Sequence, residues 1–202
     1  MNQPPEPALP LAWPVDHHPD RLAITAANAA AAAWLGNPGL WPVPVTLLIG
    51  PQGSGKSHLA GWFAARTPAR IIEAAETHDA ERLFHAWNAA TRDRPLLLTS
   101  RLAPRDWGHG LPDLASRLAA TPQLRLGEPD DELLAAVLAK LFAERGIKVG
   151  DELIRWLLLR IERSLGAAQA VVAALDETSL ARRRAITIPL AREVIDGQFS
   201  LF

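Results

Sequence analysis

The chain contains no cysteine and almost no excess charge of either sign. Its 202 residues carry a formal net charge of −1. The missing thiols exclude a disulfide scaffold and thiolate metal sites, and they fit a reducing compartment. Because the charges balance, the chain has no overall electrostatic attraction to nucleic acid or to an anionic membrane.

Long apolar runs are also missing, although 49% of the residues are hydrophobic. No run approaches the roughly 18 residues expected of a membrane-spanning helix. The first residues lack the basic and apolar regions of a signal peptide. A chain of this length can bury one substantial core, or a core plus a small satellite domain. We therefore expect a folded cytoplasmic protein without a membrane partner.

One stretch carries a specific chemical signal: a glycine, four residues, and then Gly-Lys-Ser, placed after the apolar run Val45–Ile49. Glycines let such a loop curl so that its N–H groups point at a phosphate, and the following helix adds its positive end. Lys56 would reach the β- and γ-phosphates, and the Ser57 hydroxyl would hold Mg²⁺. A glycine-rich turn that matches by accident is the alternative. We predict that ADP or ATP, with Mg²⁺ as accompanying ion, binds at Gly50, Pro51, Gln52, Gly53, Ser54, Gly55, Lys56, Ser57 and His58.

The order of predicted elements favours an α/β fold. Apolar strands predicted at 45–49, 70–73, 95–100 and 123–126 alternate with helices, which is typical of a parallel sheet. An alanine-rich helix, with Thr25 as expected N-cap, precedes the first strand.

Beyond residue 129 only helices are predicted, at 131–145 and 151–163, after Ser164 and after Thr187, with Asp130 and Ser164 as N-caps. We expect an extended segment at 1–20, the α/β domain at 21–128, a helical domain at 129–197 and a tail at 198–202.

A phosphate-loop domain followed by a helical lid is the layout of AAA+ ATPases. The sequence at 50–60, 83–88, 97–100 and 114–118 resembles the DnaA-related AAA+ family, and the resemblance spans about residues 9–195. Since no helix-turn-helix DNA reader follows the lid, the chain is similar to the short Hda-type members, and we expect no direct sequence-specific DNA binding. The resemblance implies a reduced AAA+ phosphate-loop parallel sheet with a C-terminal all-helical lid. It also implies DnaA and the polymerase sliding clamp as partners, and a role in restraining re-initiation by promoting ATP hydrolysis on DnaA.

Several catalytic positions depart from the family pattern. Glu73 matches the first acid of the Walker B strand and would serve Mg²⁺, but Ala74 stands where a second acid would orient water. Ala167 stands where the family's lid arginine would contact phosphate. Arg160 and Arg163 are candidates to replace it, or belong to the solvated face of a helix. We expect little or no intrinsic ATPase activity.

The interval between the phosphate-loop helix and the strand containing Leu97 is short. Its roughly 30 residues leave room for one strand and one helix, where a family member normally has two of each. We predict that one strand–helix unit is missing. The family's polar sensor residue falls near Ser100–Arg101.

Arg117 matches the family's arginine finger, a residue that one subunit presents to the nucleotide of its neighbour. Its alternative role is that of a helix arginine paired with Asp113 or Glu128. As a finger it would be the catalytic residue of this chain, acting on another protein's nucleotide.

The last five residues resemble the clamp-binding pentapeptide. An extended terminus could place Leu201 and Phe202 in an apolar pocket, or the tail could fold back on the lid. Family members usually carry this motif near the N-terminus, where Ala8–Leu11 keeps only its apolar part. The predicted partner-binding residues are Gln198, Phe199, Ser200, Leu201 and Phe202.

Three functional hypotheses follow. The first is a regulatory AAA+ adaptor tethered to the clamp. The second is a scaffold whose phosphate loop holds no nucleotide, and the third is a self-sufficient small ATPase or nucleotide kinase. Self-association into a homo-oligomer is left open by the sequence.

Overall fold

A parallel sheet lies at the centre of the N-terminal part of the protein. The computed structural model describes residues 22–108 and 110–199. Within them, four strands form one sheet in the order β2-β3-β1-β4. The strands are β1 (Val45–Ile49), β2 (Arg70–Ile72), β3 (Leu96–Ser100) and β4 (Gln123–Arg125). All strand pairs run parallel, so the expected α/β class is confirmed.

The two central strands are the most apolar, and every residue of β1 and β3 is buried. Continuous apolar runs are typical of parallel strands that are covered on both faces. The edge strands β2 and β4 have only three residues each.

Helices cover both faces of the sheet. They are α1 (Ala29–Leu35), α2 (Lys56–Ala64), α3 (Ala80–Asn88) and α4 (Pro112–Ala120). Helices α1 and α2 share a core with Leu48 and Leu97. On the other face, α3 and α4 share a core with Leu47 and Leu98. The alternation of side chains along each strand therefore produces a three-layer α/β/α domain.

The start of the first helix differs from the expectation. Thr25 was expected to cap it, but the helix begins at Ala29, and Asn28 occupies the N-cap position. The reason is a turn: the Thr25 carbonyl accepts N–H bonds from Asn28 and Ala29, and the Thr25 N–H donates to Asn28 Oδ1.

The segment between α2 and β3 confirms the predicted shortening. Its regular elements among the described residues are β2, a 3₁₀ turn (Ala75–Thr77) and α3. One strand–helix unit is therefore absent, and β2 lies at the edge of the sheet.

The C-terminal part consists of helices. They are α5 (Asp131–Glu144), α6 (Asp151–Leu158), α7 (Leu165–Arg182) and α8 (Ile188–Phe199). Their inward leucines and valines form a separate core around Phe142. The two expected caps are confirmed, because Asp130 accepts from the Leu133 N–H and Ser164 from the Ala167 N–H. Helix α6 ends five residues earlier than expected, since the chain turns after Leu158 to bring Ser164 to the start of α7. None of the described helices is long and apolar enough to span a membrane.

Candidate functional site

The loop after β1 has the shape expected of a phosphate-binding loop. Gly53 and Gly55 have φ angles of 78° and 94°, in the left-handed region that favours glycine. The loop ends where α2 begins, at Lys56. The N-terminus of that helix therefore adjoins the curled backbone, an arrangement suited to an anion.

Lys56 is held by its own loop. Its Nζ donates to the carbonyl oxygens of Gly50 at 2.8 Å and Pro51 at 2.7 Å. Burial lowers the pKa of Lys56, and the charge of Glu76 opposes this shift whereas that of Arg101 adds to it. The carboxylates of Glu76 and Glu73 and the guanidinium of Arg101 therefore all act on this ammonium.

Ser57 and Glu73, the two residues predicted to serve a metal, are in direct contact. The Ser57 hydroxyl donates to Glu73 Oε2 at 2.7 Å. Hydroxyl and carboxylate oxygens are ligands that Mg²⁺ accepts, and it usually completes its shell with phosphate oxygens and water. No group of three or more metal-binding side chains occurs among the residues that the structure describes. The pair therefore fits an ion that arrives with a nucleotide.

Ala74 follows Glu73 with a φ of 48°. Its N–H lies 3.3 Å from Thr99 Oγ1, and its methyl group cannot orient a water molecule. The position that holds the family's second acid therefore has no carboxylate.

Glu76 lies beside the site, a position that its nearness to Glu73 in sequence does not decide by itself. Its Oε1 accepts the Arg101 N–H at 3.0 Å and lies 3.8 Å from Arg101 Nε. The side chain of Glu76 is only 9% exposed, and its Oε2 has no hydrogen-bond partner among the described residues. Burial raises the pKa of Glu76, but hydrogen bonds from the backbone of Arg101 and of Glu76 itself and from the Ser100 side chain, together with the charge of Arg101, outweigh it and lower the pKa overall.

Arg101 connects this acid with the loop. Residue Ser100 pairs with Ile49 in the sheet, so the chain leaves β3 next to the phosphate loop. Arg101 Nη1 lies 3.4 Å from Gln52 Oε1. The position expected to hold a polar sensor residue therefore holds a cation anchored by Glu76.

The lid contacts the loop directly. The Leu165 N–H donates to the Gly53 carbonyl at 3.0 Å. A Cβ atom on Gly53 would lie 2.3 Å from Ser164 Cβ, and one on Gly55 would lie 2.9 Å from Leu165 Cδ1. These two glycines are thus required by the packing of the lid as well as by the curl of the loop.

A cavity of about 160 Å³ lies between loop and lid. Residues 53, 55–58, Leu165, Gly166 and Gln169 line it. His58 is on its wall, and burial lowers the pKa of His58, with a further lowering by Lys140. Of the predicted binding residues, Gly53, Gly55, Lys56, Ser57 and His58 therefore share one cavity.

The lid contributes no arginine to the loop from the expected positions. Ala167 lies in the first turn of α7. Arg163 pairs with Asp131 at 2.8 Å, and the Arg160 guanidinium lies 4.1 Å from the Trp156 ring centre. Both arginines are therefore engaged within the lid, but they follow the end of α6 at Leu158 and do not lie on the solvated face of a helix, as the alternative had expected.

Arg117 lies in the last turn of α4, away from both acids considered for it. Its guanidinium carbon is 5.1 Å from the centre of the Phe84 ring and 4.6 Å from that of Trp87. Its contacts are therefore aromatic, and the described residues show no ion pair with Asp113 or Glu128.

The predicted clamp-binding tail falls at the end of the described chain. The backbone of Gln198 and Phe199 belongs to α8, so these two positions are helical rather than extended as expected. Ser200, Leu201 and Phe202 lie outside the described residues, as do residues 1–21.

A phosphate loop on a parallel sheet, followed by a helical lid that contacts the loop, is the architecture of the AAA+ fold. Residues 130–195 match the family model of the Hda lid domain. Domain III of DnaA from Thermotoga maritima is similar over 87% of this chain and 94% of that one, with a TM-score of 0.73 at 13% identity. The C-terminal part of the chain is thus similar to the Hda lid domain, and the chain shares the fold of DnaA domain III.

Other solved structures share the fold at lower similarity. AMPPCP-bound DnaA from Aquifex aeolicus matches with a TM-score of 0.61 at 14% identity, over 81% of this chain and 66% of that one. The RuvB Holliday junction branch migration motor of Thermotoga maritima matches with a TM-score of 0.59 at 14% identity, over 84% of this chain and 65% of that one.

Proposed function

We propose that this protein is a regulatory AAA+ adaptor of replication initiation that presents Arg117 to the nucleotide of a DnaA partner. The observation that carries the proposal is the contrast between two sites. The chain's own nucleotide site has alanine, Ala74, where a second acid would orient water, and alanine, Ala167, where a lid arginine would contact phosphate. Arg117, in contrast, is a half-buried cation fixed on the surface formed by α3 and α4. The chemistry therefore acts in trans, where an arginine finger contributes a factor of about 10³–10⁵ in rate.

The test is the rate of ATP hydrolysis by ATP-loaded DnaA with and without this protein. We expect stimulation by the wild type and its loss, by about a thousandfold or more, in Arg117→Ala. Arg105→Ala is the matched control, because that side chain is 84% exposed and its ion pair is with its neighbour Asp106. Equal stimulation by Arg117→Ala and wild type would refute the finger.

The loop itself is proposed to hold ADP or ATP with Mg²⁺. The positive φ angles of Gly53 and Gly55, the Lys56 ammonium inside the curl and the Ser57–Glu73 pair support this. A DnaA relative of the same fold is bound to AMPPCP. Bound Mg²⁺ would supply positive charge to the phosphates, while Lys56 binds them and the lid excludes water.

Calorimetry with ADP tests nucleotide binding. Binding tighter than about 10 μM, which corresponds to roughly −7 kcal/mol, would support it. Lys56→Ala should abolish the heat, whereas Lys148→Ala on the exposed lid surface should not. If the wild type binds neither ADP nor ATP, the protein is a scaffold, and the contacts of Lys56 and the lid with the loop are structural.

The tail at Gln198–Phe202 is proposed to tether the protein to the sliding clamp. Its support is the match to the clamp-binding pentapeptide, in which Leu201 and Phe202 supply the apolar contacts. In a pull-down with the clamp, the Leu201→Ala/Phe202→Ala double variant should lose binding. Leu180→Ala, which removes an exposed leucine of the lid, should retain it. Undiminished capture of the double variant would place the tether elsewhere.

A further inference from the structure

The guanidinium of Arg117 rests on two aromatic rings of α3. Phe84 and Trp87 are three residues apart and therefore share a face of that helix. Both rings are half-buried and pack against the core beneath α3 and α4. Their positions are thus set by the interior of the domain.

A chain of hydrogen bonds fixes the Trp87 ring to Arg117 itself. Trp87 Nε1–H donates to Thr121 Oγ1 at 3.0 Å, and the Thr121 hydroxyl donates to the Arg117 carbonyl at 2.8 Å. Thr121 is only 3% exposed. The ring that supports the guanidinium is therefore anchored to the backbone of the same arginine.

Aromatic support orients an arginine without consuming its hydrogen-bond donors. The ring attracts the flat face of the guanidinium. The five N–H donors lie in the guanidinium plane and stay available to phosphate oxygens. An arginine held in this way has already given up much of its rotamer freedom, so less entropy is lost when it meets a phosphate.

We propose that Phe84 and Trp87 are positioning residues that hold Arg117 in the orientation in which it meets the partner's nucleotide. This inference rests on the proposed function. The aromatic pair takes the place of a carboxylate, and among the described residues Arg117 forms no ion pair that would neutralise its charge.

The experiment is the stimulation of ATP hydrolysis on ATP-loaded DnaA, measured as a function of adaptor concentration. Trp87→Leu keeps an apolar side chain but removes the aromatic face, and Trp87→Phe keeps a face. We expect Trp87→Leu to lower the maximal stimulation by about 5- to 30-fold with little change in the half-saturating concentration. Trp87→Phe should retain most of the activity.

The lid supplies a matched control. Arg160 lies over Trp156 at 4.1 Å, a cation–π pair of the same kind. Trp156→Leu removes that pair and should leave stimulation unchanged. Thermal unfolding of Trp87→Leu, Trp87→Phe and Trp156→Leu should give cooperative transitions, which checks that each variant is folded.

The outcomes separate the two proposals. If Arg117→Ala stimulates like the wild type, the proposed function fails. If Arg117→Ala is inactive but Trp87→Leu reaches the wild-type maximum, only the positioning role is overturned, and the same holds if Trp87→Phe loses as much as Trp87→Leu. The Trp87→Leu/Arg117→Ala variant should be no less active than Arg117→Ala alone, because Trp87 acts through Arg117.

Discussion

Replacing Gly53 with alanine tests the contact between loop and lid. Two costs follow from the structure. A left-handed φ of 78° costs a non-glycine residue about 1–2 kcal/mol. The added Cβ would lie 2.3 Å from Ser164 Cβ, and relieving such overpacking costs about 1–3 kcal/mol. We expect Gly53→Ala to lower the free energy of unfolding by about 2–5 kcal/mol.

Urea unfolding measures this change, and two further variants separate its parts. Ser164→Gly removes the clashing atom and costs only a few tenths of a kcal/mol as an N-cap change. The Gly53→Ala/Ser164→Gly variant should therefore recover most of the overpacking part, since the remaining contact is 3.2 Å to the Cα of residue 164, and it should keep the backbone strain. Gly61→Ala is the control, because Gly61 lies within α2 with open space around it and alanine there stabilises by about 0.5–1 kcal/mol.

Two results would refute the reasoning. One is a Gly53→Ala protein as stable as the wild type. The other is a double variant no more stable than Gly53→Ala, which would mean that the lid does not rest on the loop in solution.

Three further predictions concern local interactions. Asp130→Ala should cost about 1 kcal/mol in urea unfolding, because it removes the cap of α5. Burial lowers the pKa of His58, so wild-type stability should fall as the pH drops below about 6.5, and His58→Gln should flatten this dependence in melts at pH 5–8. The pKa of Glu76 is also lowered. Glu76→Gln should therefore destabilise at pH 7, and its deficit relative to wild type should shrink as the pH falls below about 4.3.

The parts of the fold that depend on local signals could be predicted from the sequence. The phosphate loop needs only a strand, its glycines and the following helix. The caps at Asp130 and Ser164 need only the next three residues. The missing strand–helix unit followed from the length of one interval. Each of these features depends on residues that are neighbours along the chain.

The contacts that complete the site could not be predicted, because they join distant segments. Glu76 meets Arg101 only because β2 and β3 pair in one register. Gly53 contacts Ser164 only because the lid packs against the loop, although the two residues are more than a hundred positions apart in the sequence. The aromatic support of Arg117 depends on the packing of α3 against α4, and no spacing within either helix indicates it.

The position of β2 has a consequence for local opening. It is a three-residue strand at the rim of the sheet, paired on one side only. The residue after it, Glu73, accepts the Ser57 hydroxyl, whereas Lys56 follows the loop of the central strand β1. In segments with few pairing partners, amide hydrogens exchange through local unfolding events that cost little free energy. The backbone amides of β2, next to Glu73, should therefore exchange with deuterium before those of β1 and the loop that leads to Lys56. A bound Mg²⁺–nucleotide would protect the β2 amides more than those of β1.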